Sequence, residues 1–305
     1  MEATACEIGR LPEELLSAAL ARTSPRDACR AAAVSPAFRA AADSDSVWAG
    51  FLPRAALPPL ADGELPAPTA PPRKKDLFLR LSDSPVLLQD RLVSMWLDRE
   101  TGANCYMLSA RNLYICWGDT PQYWSWIPLA DSRFSECAQL LHVCWFDIKG
   151  KIPRRMLSQD TFYGVYIVFK ANEHFVGFDT PVQEASVSVG ETNLARKVCL
   201  ESADDEGGES SAVPSNYWPM GMFPPQRTRR RNGRLVPHRV VPREENVGLP
   251  VKRADGWMEV ELGEFLNDGD DEDGEVSFSL MEIKGGHWKS GLIVQGIEIR
   301  RKKSG

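Results

Sequence analysis

The sequence predicts an α+β chain of more than one domain, a small helical head followed by an antiparallel β-sandwich. Three observations predict it. Up to Pro53, prolines and acids recur at helix-start positions. Most of the chain beyond the head alternates apolar and polar side chains with the period of half-buried strands. Those alternating runs are short and bounded by Gly, Asp and Pro, which fits a sandwich better than a parallel α/β sheet.

In the head (1–53), Pro12 stands at the first turn of a helix with Glu13 and Glu14 near its positive end. Leu15, Leu16, Ala19 and Leu20 form a narrow apolar stripe. Ser24-Pro25-Arg26-Asp27 supplies an N-cap, a proline at N1 and an acid at N3 for a second helix. Ser35-Pro36 repeats the signal for a third, with Phe38, Ala41 and Ala42 on one side, and Val47, Trp48 and Phe51 close the unit. So small a bundle cannot bury all this apolar surface within itself. Residues 54–75, rich in proline and alanine, read as an extended spacer that separates the two units. A short helix over Asp76–Leu81 opens the second unit (76–305).

In that unit Val86-Leu87-Leu88 and Val93–Leu97 read as strands divided from the next by a turn at Gly102. Val165, Ile167 and Phe169 share a face, as do Met258, Val260 and Leu262 with Glu259 and Glu261 opposite; Val276, Phe278 and Leu280 alternate with serines. Leu194–Leu200 and Leu292–Ile299 add strands, and a helical interruption is expected over Phe134–Leu141. The segment 201–245 begins acidic, turns aromatic at Tyr217, Trp218 and Phe223, then basic from Arg227 to Arg239. Its charge reads as an insertion loop. The arginines fit a nuclear-import signal or simply a solvated loop.

The densest chemical signal is Trp117-Gly-Asp-Thr-Pro-Gln-Tyr-Trp124-Ser-Trp126, a strand, a loop and a second strand carrying more flat aromatic surface than a short turn can bury. An indole bordered by acids stacks on the apolar face of a sugar ring while carboxylates take its hydroxyls. We place Trp126 and Trp145 in the core and hold Trp117 and Trp124 as candidates for an exposed site. Trp117 shares the strand phase of Leu113 and Ile115, which argues for its partial burial; Trp124 is freer to present its ring. His287 and Lys289 beside Trp288 are explained by strand and turn placement.

The blocks from Cys105 to Ile152, "FYGVYIVFK", and Asp255 to Arg300 resemble the lectin domain of the Nictaba-like (phloem lectin) plant proteins. The resemblance runs from about residue 75 to 301 and implies a jelly-roll-like, carbohydrate-binding sandwich whose sugar site falls on Trp117, Trp124, Glu275 and Glu282. The head, through Leu11-Pro12-Glu13, Leu15, Pro25-Arg26-Asp27, Val34, Phe38 and Asp45–Trp48, is similar to an F-box, the motif that docks on the Skp-family adaptor of cullin ubiquitin ligases. It implies adaptor contacts by Leu11, Pro12, Leu15, Val34, Phe38 and Trp48. Together the two resemblances imply the substrate-recognition subunit of an SCF-type ligase with a glycan or glycoprotein target. A carbohydrate-binding stress lectin without a ligase role, or a receptor for a non-glycosylated protein, remain as alternatives.

Other functions find less support. The chain contains no GxSxG, HExxH or GxxxxGK[ST], and its four histidines are scattered, so no enzyme is expected. Cys137, His142 and Cys144 have no fourth ligand nearby, and the acidic turn at Asp270–Gly274 lacks EF-hand spacing; neither a metal nor a cofactor is expected. A net charge of −6 argues against a nucleic-acid surface, and no apolar run is long enough to span a bilayer. The acidic start "MEATACEIGRLPEELL" lacks secretory character, and seven scattered cysteines read as reduced thiols. Cytoplasm and nucleus are the expected locations.

Overall fold

A computed structural model of the protein describes residues 11–53, 57–64, 73–201, 247–269 and 273–303. The head holds four helices, α1 (Glu13–Leu20), α2 (Pro25–Ala31), α3 (Pro36–Ala42) and α4 (Asp45–Phe51). Three begin at a capping serine, and Ser24 and Ser35 are the caps the sequence predicts. The hydroxyl of Ser24 accepts from Asp27 N–H, that of Ser35 from Phe38 N–H and that of Ser44 from Ser46 N–H, each satisfying a donor the helix leaves open. Helix α5 (Lys74–Asp83) follows, slightly longer than expected.

The rest is a sandwich of two antiparallel sheets. The larger has the order β1 (Val86–Leu87), β2 (Val93–Leu97), β3 (Asn104–Ser109), β14 (Ser290–Arg301), β8 (Thr161–Val176), β12 (Met258–Asn267) and β11 (Val251–Lys252). A hairpin of β5 (Trp124–Ile127) and β6 (Cys137–Leu140) joins it through β14. The smaller sheet runs β10 (Thr192–Val198), β9 (Gln183–Val189), β13 (Glu275–Glu282), β7 (Phe146–Pro153) and β4 (Tyr114–Ile115). Val165, Ile167 and Phe169 from one sheet and Val276, Phe278 and Leu280 from the other are all buried in one core, as the alternation requires. The outer face of the larger sheet is covered too: Met107, Val168, Trp257 and Ile293 form a second cluster with Phe134 and Cys137. This explains why β8 is buried on both sides through its middle.

Four expectations need correction. The head and sandwich are not isolated by a spacer. Leu16, Leu20, Val47, Trp48 and Phe51 belong to the same buried core as Phe78, Leu81 and the sheets. The described part of the spacer pairs with the sandwich: Ala61 N–H donates to Leu87 O and Gln89 N–H to Pro59 O, each at 2.9 Å. Gly102, at φ +80°, lets the turn pass under α4, because a Cβ there would lie 2.8 Å from Phe51 O. Second, no helix interrupts at Phe134–Leu141; Cys137–Leu140 is a strand paired with β5, its apolar run too short for its period to separate helix from strand. Third, Trp145 is exposed, because a bend between Val143 and Phe146 breaks the alternation. Fourth, Trp126 is half-buried against the core under the Arg111 guanidinium, 3.6 Å from its ring centre, and not enclosed.

The insertion over 201–245, with Tyr217, Trp218, Phe223 and its arginines, lies outside the described residues beyond Glu201. Its flanks are tied together by Gly248 N–H to Lys197 O and Cys199 N–H to Gly248 O, both 2.9 Å.

Candidate functional site

Two surfaces carry the chemistry, one on the head and one at a loop end of the sandwich. On the head, Leu11 and Pro12 lead into α1, whose first turn closes through Leu15 N–H and Leu16 N–H onto Pro12 O. Leu16 and Leu20 point inward; Leu11, Leu15 at 56% exposure and Val34 at 69% face solvent. Three large aliphatic side chains are thus presented outward from a small bundle whose caps already fix its backbone. Phe38 is half-buried against the core.

Trp48 is a correction. It is 1% exposed, donates its indole N–H to Ala42 O at 2.6 Å, and packs on Phe51 and Phe78 with ring centres 5.6 and 5.2 Å away. It joins the head to the sandwich and has no surface left for an adaptor.

At the sandwich end, β4 stops at Ile115 and the chain reverses. Trp117 takes φ +58°, a conformation that bulky side chains rarely adopt. That turn breaks the strand phase which argued for burial, and Trp117 is 43% exposed. Two other indoles hold the reversal in place. Trp124 donates its N–H to Cys116 O at 3.2 Å and Trp126 to Gly118 O at 3.0 Å.

Trp124 is therefore a second correction. At 2% exposure it offers no open face and instead positions the loop that carries Trp117. Trp117→Ala is expected to leave thermal stability nearly unchanged, whereas Trp124→Ala lowers the melting temperature by removing both buried surface and a bond to the loop.

Trp117 does not stand alone. Its ring lies 5.0 Å from Tyr123, Tyr123 lies 6.0 Å from His142, and His142 lies 5.7 Å from Trp288, itself 45% exposed. These rings form a row along the loop end, fringed by exposed Asp119, Gln122 and His287. Sequence reasoning treated Trp288 and His142 as incidental. The usable signal was Gly285-Gly286-His287-Trp288, an indole in a glycine-rich turn between two strands, as Trp117 stands beside Gly118 in its own turn.

Glu282 and Glu275 do not meet at this row. Glu282 is buried at the end of β13. Its carboxylate accepts from Lys284 N–H at 3.1 Å, Gly285 N–H at 2.8 Å and the ammonium of Lys289, which also donates to His287 O at 3.0 Å. Burial alone would push this carboxyl up. The Lys289 bond and charge, with the two N–H donors, outweigh it and hold it below the ordinary carboxylate range. Glu282 thus braces the loop that lifts Trp288, a correction of its placement as a sugar acceptor. Glu275 sits at the opposite end of β13, seven residues away or about 23 Å of strand. It is exposed, paired with Lys151 at 2.9 Å, on the outer face of the smaller sheet. Only Trp117 of the four sequence candidates belongs to the aromatic row.

The arrangement suits binding more than bond cleavage, with flat apolar faces beside hydrogen-bonding groups. Among the described residues no group of three or more His, Cys, Asp and Glu side chains is placed to hold a metal ion.

The pattern of the phloem protein 2 family, PP2, matches residues 103–301, more than half of the chain. The chain belongs to the phloem protein 2 family. An F-box-like pattern matches residues 8–53. Among curated proteins of Arabidopsis thaliana, F-box protein PP2-B1 is 42% identical over 96% of this chain and 90% of its own length. F-box protein PP2-B10 is 41% identical over 96% and 93%, and F-box protein PP2-B15 is 37% identical over 96% of each. Among solved structures, TmCBM61 in complex with beta-1,4-galactotriose aligns with 64% of this chain and 91% of its own, at a TM-score of 0.28 and 7% identity. So distant a likeness carries no inference about ligand. This is an F-box protein of the phloem protein 2 family, with a helical head and an antiparallel β-sandwich.

Proposed function

We propose that this phloem protein 2 chain is the substrate-receptor subunit of an SCF-type ubiquitin ligase and that its sandwich recognises a glycan or glycoprotein. The observation that carries the reading is the pairing on one chain of an F-box-like head, with Leu11, Leu15 and Val34 turned to solvent, and a sandwich bearing the exposed row from Trp117 to Trp288. The Skp-family adaptor would cover the three aliphatic side chains. The aromatic row would stack on sugar rings. No residue of this chain need take part in chemistry, because holding a target lysine near a charged conjugating enzyme raises its effective concentration. A set of scattered cysteines without paired spacing supports action in the cytoplasm and nucleus.

Leu11→Ala with Leu15→Ala is expected to abolish capture of the adaptor in a pull-down while the melting temperature holds. Both side chains are exposed, so folding loses little, while truncating interface anchors costs roughly 2 kcal/mol or more of binding. Undiminished capture by this variant would sink the F-box reading. Retention on a glycan array, lost in Trp117→Ala and Trp288→Ala, tests the second half. An array that retains no wild-type protein moves the target to a non-glycosylated protein surface.

A further inference from the structure

The outer face of the smaller sheet carries a second concavity away from the aromatic row. On a sheet face turned to water, long side chains ordinarily stand over the strands. Here the middle of the face is lined by four serines. Ser277 lies directly across from Ser188, and Ser279 from Ser186. Around this low floor stand taller groups. Lys151 and Lys149 face Ser277 and Ser279 from β7, Tyr114 stands beyond Lys149 at 59% exposure, and Glu275 closes one end. The result is an open trough of about 650 Å³. From the level of Glu275 to that of Ser279 it follows β13 for four residues, about 13 Å.

We propose that this trough is a binding site for a neutral, extended glycan chain, distinct from the loop-end row. The inference rests on the lectin reading above and adds a second surface and a chain-length requirement to it.

The lining chooses among ligand classes. Each lysine already has a carboxylate partner, Lys149 in Asp147 at 2.7 Å and Lys151 in Glu275 at 2.9 Å. Among the described residues the trough therefore offers no unpaired cation for a phosphate or sulfate. A peptide or nucleic acid fits less well for separate reasons. The N–H and C=O groups of β13 are spent on β7 and β9, so an extended peptide finds no ladder to join. A nucleic acid needs cations that are free.

What remains is an array of hydroxyls. Ser186 and Ser279 share one hydrogen bond at 2.8 Å, which leaves lone pairs open, and Ser188 donates to Asn193 at 3.0 Å. At the rim stands Tyr114, 59% exposed, with the Lys149 ammonium 5.7 Å from its ring centre. Hydroxyls on the floor and an aromatic ring at the rim match the two surfaces of a pyranose chain.

The test is titration calorimetry on the full chain with soluble neutral β-1,4-linked hexose and N-acetylhexosamine oligomers, from monosaccharide to hexasaccharide. Ser277→Gln with Ser188→Gln raises the floor without adding charge, at positions open enough for the fold to tolerate, which an unchanged melting temperature verifies. In the wild type, affinity is expected to rise with chain length. The floor variant is expected to bind the longest oligomer at least about tenfold more weakly, a loss of about 1.4 kcal/mol. Equal binding of the long oligomers by wild type and floor variant, with loss on Trp117→Ala, overturns the trough and leaves the lectin reading standing. Absence of binding to every oligomer overturns both. Preference for a sulfated oligomer over its neutral counterpart overturns the neutral class.

Discussion

Trp48→Ala is expected to destabilise the whole chain by about 3–5 kcal/mol, the usual cost of truncating a buried tryptophan. The indole is 1% exposed and touches Phe51 on its own helix and Phe78 on α5, while Phe51 and Phe78 lie 6.4 Å apart. These three rings are where the head meets the sandwich. Ion pairs run alongside, Lys75 with Asp43 at 2.5 Å and Arg26 with Glu100 at 3.4 Å, but both are exposed and contribute little. Because the head and sandwich share one core, the wild type should unfold in a single transition followed by urea and calorimetry. Two separated transitions in the wild type, or a Trp48→Ala variant within about 1 kcal/mol of it, would show that the modules are independent after all. A shared core also bears on the proposed ligase role. A receptor rigid from adaptor contact to glycan site fixes where the target can lie, whereas a flexible spacer would let it roam. Partial opening of the junction should therefore reduce ubiquitin transfer even where adaptor and glycan are both still bound.

Local chemistry explains what could be read in advance. The caps at Ser24 and Ser35 and the alternation of Val276, Phe278 and Leu280 are short-range signals, and each appears where its spacing puts it. Trp48 shows the limit. Its burial is set by α5, which is distant in sequence, and a motif that ordinarily meets a partner gave no sign that this chain supplies its own cover. The strand-phase argument for burying Trp117 fails for another reason. The period-two argument assumes that a strand continues, and the positive φ at Trp117 ends it.

Glu275 and Glu282 could have been separated from the sequence alone. Seven positions along one strand is an odd number, so the two carboxylates point to opposite faces as well as lying at opposite ends. Parity places Glu282 on the inward face with Val276, Phe278 and Leu280, and Glu275 outward with Ser277 and Ser279, which is how they lie. The aromatic row is different. It is assembled from the turn at Trp117–Tyr123, the segment around His142 and the turn before Ser290, which meet only once β7, β13 and β14 are in register.

Lys289→Met is expected to cost about 3–5 kcal/mol, the penalty for leaving a buried charge without its partner. The Lys289 side chain has no exposure and that of Glu282 only 4%. Without the ammonium, the carboxylate keeps two backbone N–H donors but loses its counter-charge, and the loop from Ile283 to Trp288 loses its brace. Methionine matches the length and apolar stem of lysine, so the loss reports charge more than packing. Adding Glu282→Gln should recover much of the stability, because removing both charges also removes the uncompensated one. The pH dependence has a definite sign. The Glu282 carboxyl is held below its ordinary range in the folded chain, so its contribution is complete above the unfolded value of about 4.3 and is lost as pH falls through the lower folded value. Below neutral pH the wild type should therefore lose stability more steeply than the double variant, with the difference confined to the region under about pH 5. Denaturant titrations across that range, read by tryptophan fluorescence, compare the two. Parallel curves, or a Lys289→Met variant within about 0.5 kcal/mol of wild type, would mean that the pair does not hold the Trp288 loop. The same variant gives a functional reading. If the brace positions Trp288, glycan retention falls in Lys289→Met and returns in the double variant, although neither substituted side chain is exposed to touch a sugar.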